Sequence, residues 1–196
     1  MKEAKRRGYV NKYLLSAVLL LFTILTAACH SSNSVNNSDL EKHEVSQTSD
    51  ETVQGDFVFR IKSEKAEYEE GEDIELYGEI EYLGEKEEII IHHSSSAIVF
   101  PMKEKIRGYE IGSAVNDIGL STTLKKGVVY REEYGKSGGY SEAQDPQDYV
   151  NFMKEFLNDT GFPAGYYVVQ GSTDFSVESG EHVRVKGTVD FKVMKK

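Results

Sequence analysis

One short stretch of this sequence combines residue types that could do covalent chemistry in a local site. The pair His92-His93 is followed directly by three serines at 94–96. A histidine base beside a serine hydroxyl can create a nucleophile. Successive strand residues point to opposite faces, however, so the two imidazole rings cannot enter one site unless a bulge intervenes. We therefore expect His92 and His93 to be ordinary residues near the end of a strand.

The other chemistry to consider is cation binding by carboxylates. Acidic residues are dense between Glu67 and Glu75, yet their spacing does not match an EF-hand. The chain also lacks the Gly-x-Ser-x-Gly and His-Glu-x-x-His motifs of hydrolases. We expect a protein that is not an enzyme, with no cofactor and no resident metal. A cation-binding envelope protein is kept as an alternative.

The single cysteine, Cys29, ends a segment with the order of a secretory leader. Basic residues near the start are followed by an apolar run of 16 residues, from 13 to 28. A membrane-spanning helix needs about 20 apolar residues, so this run is a weak permanent anchor. One cysteine also excludes a disulfide scaffold, a multi-cysteine zinc site and an iron–sulfur cluster.

The residues before Cys29 resemble a bacterial lipobox. Ala27 and Ala28 are the small pair that precedes the modified cysteine, and Thr26 stands where the motif prefers leucine. The resemblance implies a signal peptide over 1–28, a diacylglycerol on the Cys29 sulfur and further acylation such as palmitate. It also implies a lipid-anchored position on the extracytoplasmic face of the cell membrane, because two or three acyl chains hold a protein stably on a bilayer. An uncleaved single-span anchor and secretion with a free thiol are the alternatives.

The mature chain is strongly acidic. The net charge is −10 for the full sequence, and loss of residues 1–28 removes five basic residues and one acid, which leaves −14. Such a body is repelled by nucleic acid and by anionic lipid head groups. We expect no nucleic-acid partner, and we expect acyl chains rather than charge to hold the protein at the membrane. Basic proteins, positively charged peptides and cations are the partners that this charge permits.

Polarity divides the mature chain into two parts. Residues 29–55 contain few apolar side chains, which predicts a lipid-anchored flexible tether with a typical span on the order of 30 Å. From residue 56 to 196 apolar and polar residues alternate, most clearly in two runs at 167–177 and 183–193 with a turn at 178–181. These runs predict an antiparallel hairpin.

One helix interrupts this β pattern. Asp145 is expected as its N-cap and Pro146 as its first residue, and aromatic residues follow at helical spacing. The sequence therefore predicts a mainly β protein, an immunoglobulin-like antiparallel β-sandwich over 56–196 with one inserted helix at about 146–159. Pro163 and Gly165 lead into the pair Tyr166-Tyr167, which predicts the tyrosine corner of such sandwiches.

An alternating motif opens this domain, formed by Tyr68, Gly71, Glu72, Ile74 and Leu76 and then by Tyr82 and Gly84. It resembles the opening of the intracellular proteinase inhibitor domain of bacilli, itself a small sandwich, over roughly residues 56–100. That family tends to carry tryptophan in its later strands, and this chain has none. The resemblance implies a sandwich fold and a bacillar origin, with protease inhibition as an alternative function.

These features predict a binding or interaction module at the cell envelope. A lipid-anchored sandwich would present loop tips or an edge strand to another envelope protein or to an exported peptide. Tyrosine offers a large contact area with a polar group. The candidate partner contacts are therefore the tyrosines in and around the inserted region, Tyr109, Tyr130, Tyr134 and Tyr140. For each of them, an ordinary role in a strand or in the core is the alternative.

Overall fold

The computed structural model describes residues 34–196, so the expectations for the leader and for Cys29 lie outside the described residues. The described residues form two helices and twelve strands, with the bounds α1 (Asn37–Leu40), β1 (Ser49–Gln54), β2 (Phe57–Ser63), β3 (Glu67–Glu69), β4 (Leu76–Tyr82), β5 (Glu88–Val99), β6 (Met102–Glu104), β7 (Tyr109–Ile111), β8 (Leu120–Lys125), β9 (Val129–Glu133), α2 (Gln147–Asn158), β10 (Gly165–Val177), β11 (His182–Val183) and β12 (Lys186–Met194).

Two sheets pack against each other in this part of the chain. The first has the strand order β1-β2-β4-β9, and the second has the order β3-β12-β10-β5-β8. Strand β6 pairs with β10 and β7, and β11 also pairs with β10. Strand β3 runs parallel to β12, whereas the other paired strands run antiparallel to each other. The predicted mainly β, immunoglobulin-like sandwich with one inserted helix is confirmed. Helix α1 is a further short helix that the sequence pattern did not predict.

The main core lies between the two sheets because the strands alternate inward apolar and outward polar residues. Ile61 of β2 is fully buried. Gly171 of β10 lies opposite Gly187 of β12, and both leave space for the Ile61 side chain. A Cβ atom on Gly187 would lie 2.9 Å from Ile61 Cγ2. The predicted hairpin is therefore present, and its paired glycines accommodate a side chain of the opposite sheet.

The tyrosine corner is also present. The hydroxyl of Tyr167 donates a hydrogen bond of 2.7 Å to the carbonyl oxygen of Pro163, which is the contact that defines this feature in sandwiches. Tyr167 is fully buried, so the bond satisfies its one polar group inside the core. It fixes the chain where the insertion returns to β10.

Helix α2 lies within the predicted range, but its first turn differs from the prediction. Asp145 is not the N-cap, because its carboxylate accepts a hydrogen bond of 2.6 Å from the Ser141 N–H in the preceding turn. Pro146 takes the cap position without a side-chain hydrogen bond. At the other end, Lys136 Nζ donates hydrogen bonds of 2.6 Å to the carbonyl oxygens of Phe156 and Asp159. These bonds satisfy carbonyl groups that a helix end leaves open.

The prediction of a flexible tether over 29–55 is wrong for the residues from 34 onward. Strand β1 pairs with β2 along its whole length, from Ser49 opposite Lys62 to Gln54 opposite Phe57. The segment before it, residues 34–48, also packs on the domain, and we call it the N-terminal arm. The compact unit therefore begins at Ser34 and not at residue 56.

The N-terminal arm covers the outer face of β10 and β12. Val35 and Leu40 are buried with Tyr166 in a second, smaller hydrophobic cluster. The side-chain amide of Asn37 exchanges two hydrogen bonds with the backbone of Lys195, of 2.8 and 3.1 Å. Two buried apolar side chains and several hydrogen bonds offset the entropy of ordering this polar segment. Its composition alone did not reveal that the segment folds onto the domain.

Candidate functional site

Two of the predicted contact tyrosines, Tyr109 and Tyr140, lie beside helix α2 and differ in exposure. Tyr109 of β7 packs edge-on against Tyr149 of α2, with ring centroids 5.3 Å apart. Tyr140 lies in the loop before α2 and is 37% exposed. The ammonium group of Lys154 lies 5.7 Å from the centroid of its ring. Tyr140 is accessible to a partner, whereas Tyr109 joins β7 to the helix.

The other two, Tyr130 and Tyr134, are held by internal contacts. Tyr134 packs edge-on against Phe100 and Phe162, with centroids 5.7 and 5.8 Å away, and burial raises its pKa. Tyr130 of β9 donates a hydrogen bond of 2.6 Å to Glu132, and burial raises its pKa to about 12. The structure therefore does not bring the four tyrosines together on one contact surface.

The histidine and serine stretch does not form a catalytic pair. The register of β5 against β10 shifts between Thr173 and Phe175, which places a bulge directly after the two histidines. His92 Nδ1 lies 2.8 Å from Ser121 Oγ, and His93 Nε2 lies 2.9 Å from Thr122 Oγ1. The two rings thus have different side-chain partners, and the contact of His93 with the serine run is made by the Ser94 carbonyl oxygen, 2.8 Å from Nδ1, and not by a serine hydroxyl.

The bulge instead connects the two sheets. The hydroxyl group of Ser96 donates a hydrogen bond to the carboxylate of Glu132 on β9. The backbone N–H of Ala97 donates to the same carboxylate at 3.0 Å. Because Tyr130 donates to it as well, this carboxylate has three donors around it. Glu132 therefore holds the bulge of β5 against the edge strand of the other sheet.

A cleft of about 270 Å³ lies at one end of the sandwich, and we call it the distal cleft. Two tight turns enclose it, the β1–β2 turn at 55–56 and the turn between β10 and β11. Gly55 and Gly180 in these turns have φ values of 58° and 84°. Glycine adopts this left-handed conformation without steric cost, so both chains can reverse direction close to the cleft.

The floor of the distal cleft is apolar. Phe57 lies at its base, and its ring packs edge-on against Phe175 at a centroid distance of 5.1 Å. Val177 and Val183 line the side formed by β10 and β11, and Ile89 lines the β5 side. A floor made from four strands is rigid, because each of these side chains also packs against the main core.

The rim of the distal cleft is anionic. Asp56 and Glu181 are exposed rim residues. Within residues 34–196, neither carboxylate has a hydrogen-bond or ion-pair partner. The rim imidazole of His182 is directed to Asp174, with Nε2 and Oδ1 3.1 Å apart. The cleft therefore combines an apolar floor with two unpaired negative charges at its opening.

The distal cleft lies far from the N-terminal arm. The arm packs on Tyr166 at the start of β10, and the cleft is lined by Val177 at the end of the same strand. Strand β10 is 13 residues long, and at about 3.3 Å per residue its ends are roughly 40 Å apart. The cleft and the arm thus occupy opposite ends of β10.

A second groove, of about 240 Å³, lies between the β6–β7 hairpin and β10. Two of its three charged residues, Lys103 and Glu110, form an ion pair with an N···O distance of 2.5 Å, and the third is Lys105. Val168, on its wall, also packs against the small cluster under the N-terminal arm. Because Lys103 and Glu110 pair with each other, the charge left in this groove is the single positive charge of Lys105, whereas the distal cleft has two negative charges at its rim.

Sequence reasoning missed the distal cleft. Residues 178–181 were identified only as a turn, and Asp56 only as the start of the domain. The signal that was available is the pair of glycine turns, each of which carries acidic residues. The apolar floor had no local signal, because its residues come from strands that meet only in the folded chain.

Two general findings bear on the site. Among residues 34–196, no three or more histidine, cysteine, aspartate or glutamate side chains are grouped so that they could hold a metal ion. The same part of the chain contains no helix with the length and apolar character needed to cross a membrane.

Comparison with known proteins adds little. No protein-family model matches this chain, and no curated protein matches it. Four chains of solved structures do match. One of them is described as "X-ray structure of Northeast Structural Genomics Consortium target SoR45"; it is 14% identical, with 72% of this chain and 90% of that chain covered, at a TM-score of 0.40. At that TM-score the likeness supports no statement about function.

Proposed function

We propose that this protein is a lipid-anchored binding module on the extracytoplasmic face of the cell membrane. In this proposal, the distal cleft binds a segment of another envelope protein or of an exported polypeptide. The observation that carries the proposal is the distal cleft itself, in which an apolar floor is joined to unpaired carboxylates. Its volume of about 270 Å³ lies just below the roughly 300–1,000 Å³ of small-molecule sites, so it suits a side chain better than a whole cofactor.

In this proposal, the N-terminal arm determines which end of the sandwich lies nearer the lipid anchor. Val35 is buried on the domain, and it lies six positions after Cys29. Six residues span about 20 Å at full extension. A diacylglycerol on Cys29 would then hold the arm end of β10 near the bilayer. The distal cleft, at the other end of β10, would be presented to partners away from the lipid.

The proposal is tested by photo-crosslinking on intact cells that express the full chain. The photoreactive residue p-benzoylphenylalanine replaces Gln54, an exposed uncharged residue that lines the cleft, or, in a matched control, Glu41 in the arm. We expect a covalent adduct from position 54 and none from position 41. Adducts from both positions, or from neither, would contradict a function of the distal cleft in partner binding.

A further inference from the structure

We infer that the distal cleft selects a lysine or arginine side chain of the bound polypeptide. This inference rests on the proposed function and names the chemistry of the partner. The occupant is a positively charged side chain with an aliphatic stem, inserted with its stem on the floor and its charge at the rim.

The floor of the cleft suits the stem of such a side chain. Phe57, Val177 and Val183 present apolar surface there, and Phe57 is 7% exposed at the base. Lysine and arginine bury their methylene groups on apolar surface while the charged end stays near water. Burial of these methylenes on the floor is favourable, and because the stem is aliphatic, no polar group is buried there without a hydrogen-bond partner.

The rim suits the charged end. Asp56 and Glu181 come from the two turns that enclose the cleft, and within the described part of the chain neither has an ion-pair partner. By contrast, the nearby Glu178 has Lys86 at 3.9 Å. A cationic side chain in the cleft would supply the opposite charge that Asp56 and Glu181 lack. An acidic side chain would be repelled by both of them.

The net charge of the domain favours the same class of partner. The mature chain would carry a charge of −14 after loss of residues 1–28, which attracts basic segments over a distance of about one Debye length. This general attraction does not distinguish one surface of the domain from another. The test must therefore separate the cleft from the remainder of the acidic surface.

The experiment measures binding of two labelled peptides to the full-length protein in neutral detergent micelles by fluorescence anisotropy. The probe is fluorescein-Gly-Ser-Ala-Lys-Ala-Ser-Gly, and its isostere carries norleucine in place of lysine. We expect the norleucine peptide to bind about tenfold more weakly, because it keeps the aliphatic stem and loses the charge. Equal affinity for the two peptides, or no binding of the lysine peptide, would overturn the inference.

Two double variants place the charge effect at the cleft. Asp56→Asn with Glu181→Gln removes the rim charges, and Glu41→Gln with Glu44→Gln removes two exposed charges from the N-terminal arm. Both change the net charge by the same amount. We expect the rim variant to raise the Kd of the lysine peptide about tenfold and the arm variant to raise it less than twofold. Equal effects of the two variants would show general attraction to an acidic surface and refute selection by the cleft.

The two proposals fail in different ways. An adduct from position 54 on cells, combined with no preference for lysine over norleucine, would overturn the cationic selectivity and leave the binding function in place. Absence of both the adduct and peptide binding would overturn both. Selective binding of the lysine peptide without an adduct on cells would support the chemistry of the cleft and contradict its proposed function at the envelope.

Discussion

The phenol oxygen of Tyr166 lies 2.6 Å from Oδ2 of Asp190 and donates a hydrogen bond to it. The same carboxylate accepts backbone hydrogen bonds of 2.8 Å from Ser46 and from Gln47. Three donors thus converge on a carboxylate that is only 3% exposed. This contact fastens the N-terminal arm to β12, and it explains how a polar segment stays folded on the sandwich.

Asp190→Ala should release the arm. The substitution leaves the two backbone N–H groups and the Tyr166 hydroxyl without their acceptor, and an unsatisfied buried polar group costs about 1–3 kcal/mol. We expect the free energy of unfolding to fall by about 3 kcal/mol, measured by urea denaturation. We also expect trypsin to cleave faster after Lys42, which lies in the arm.

The control for this variant is Asp174→Ala. The half-buried Asp174 carboxylate pairs with two exposed side chains, Arg184 at 2.8 Å and His182 at 3.1 Å. Exposed ion pairs contribute about 0–1 kcal/mol, so this change should leave trypsin cleavage after Lys42 unaltered. If the two variants were equally destabilised and equally cleaved, Asp190 would have no special role in holding the arm.

The Tyr166 hydroxyl makes stability depend on alkaline pH. Burial and the hydrogen bond to Asp190 raise its pKa to about 12, whereas an unfolded tyrosine has a pKa of about 10. The folded state therefore binds the proton more tightly, so its contribution to stability is complete below pH 10 and is lost as pH rises to 12. We expect a loss of about 2 kcal/mol from this group over that range.

Urea unfolding of the wild type and of Tyr166→Phe between pH 8 and pH 12 checks this expectation. The variant should be less stable at pH 8 and should lose less stability as the pH rises. Some slope should persist, because burial also raises the pKa of Tyr130 to about 12. Parallel curves for the two proteins would show that Tyr166 does not titrate as described.

Local pattern explains which parts of this fold could be predicted. The hairpin of β10 and β12 and the helix α2 were predictable because alternation and helical spacing are properties of neighbouring residues. The packing of the N-terminal arm was not predictable, because Asp190 accepts a hydrogen bond from Ser46, which lies 144 positions away in the sequence. The floor of the distal cleft was also hidden, since Phe57 and Val183 meet only after the sheets pack.

The paired glycines of the hairpin give a selective rescue test. A Cβ on Gly171 would contact Ile61 Cδ1, whereas a Cβ on Gly187 would meet Ile61 Cγ2. We expect Gly171→Ala and Gly187→Ala each to cost about 1–3 kcal/mol through overpacking. Ile61→Val removes Cδ1 and keeps Cγ2, so it should restore much of the stability of Gly171→Ala and little of that of Gly187→Ala.

Double-mutant cycles by urea denaturation measure this rescue as a coupling energy. The coupling between Ile61→Val and Gly171→Ala should be favourable and clearly larger than the coupling with Gly187→Ala. Equal couplings would mean that the backbone moves to relieve both contacts, and the assignment of separate Ile61 atoms to the two glycines would then be wrong.

Cys29→Ser tests the anchor on which the proposed location depends. A serine hydroxyl cannot take the place of the thiolate in forming the thioether to a diacylglycerol. We expect the wild type to show palmitate labelling and the mass increment of the lipid, and the variant to show neither. The membrane fraction of cells with the variant should therefore contain no mature, lipidated form of the protein. Intact-mass analysis of that fraction is the measurement. A wild-type protein with an unmodified thiol and residues 1–28 still attached would refute lipidation, and the arm would then have no anchored lipid to orient it.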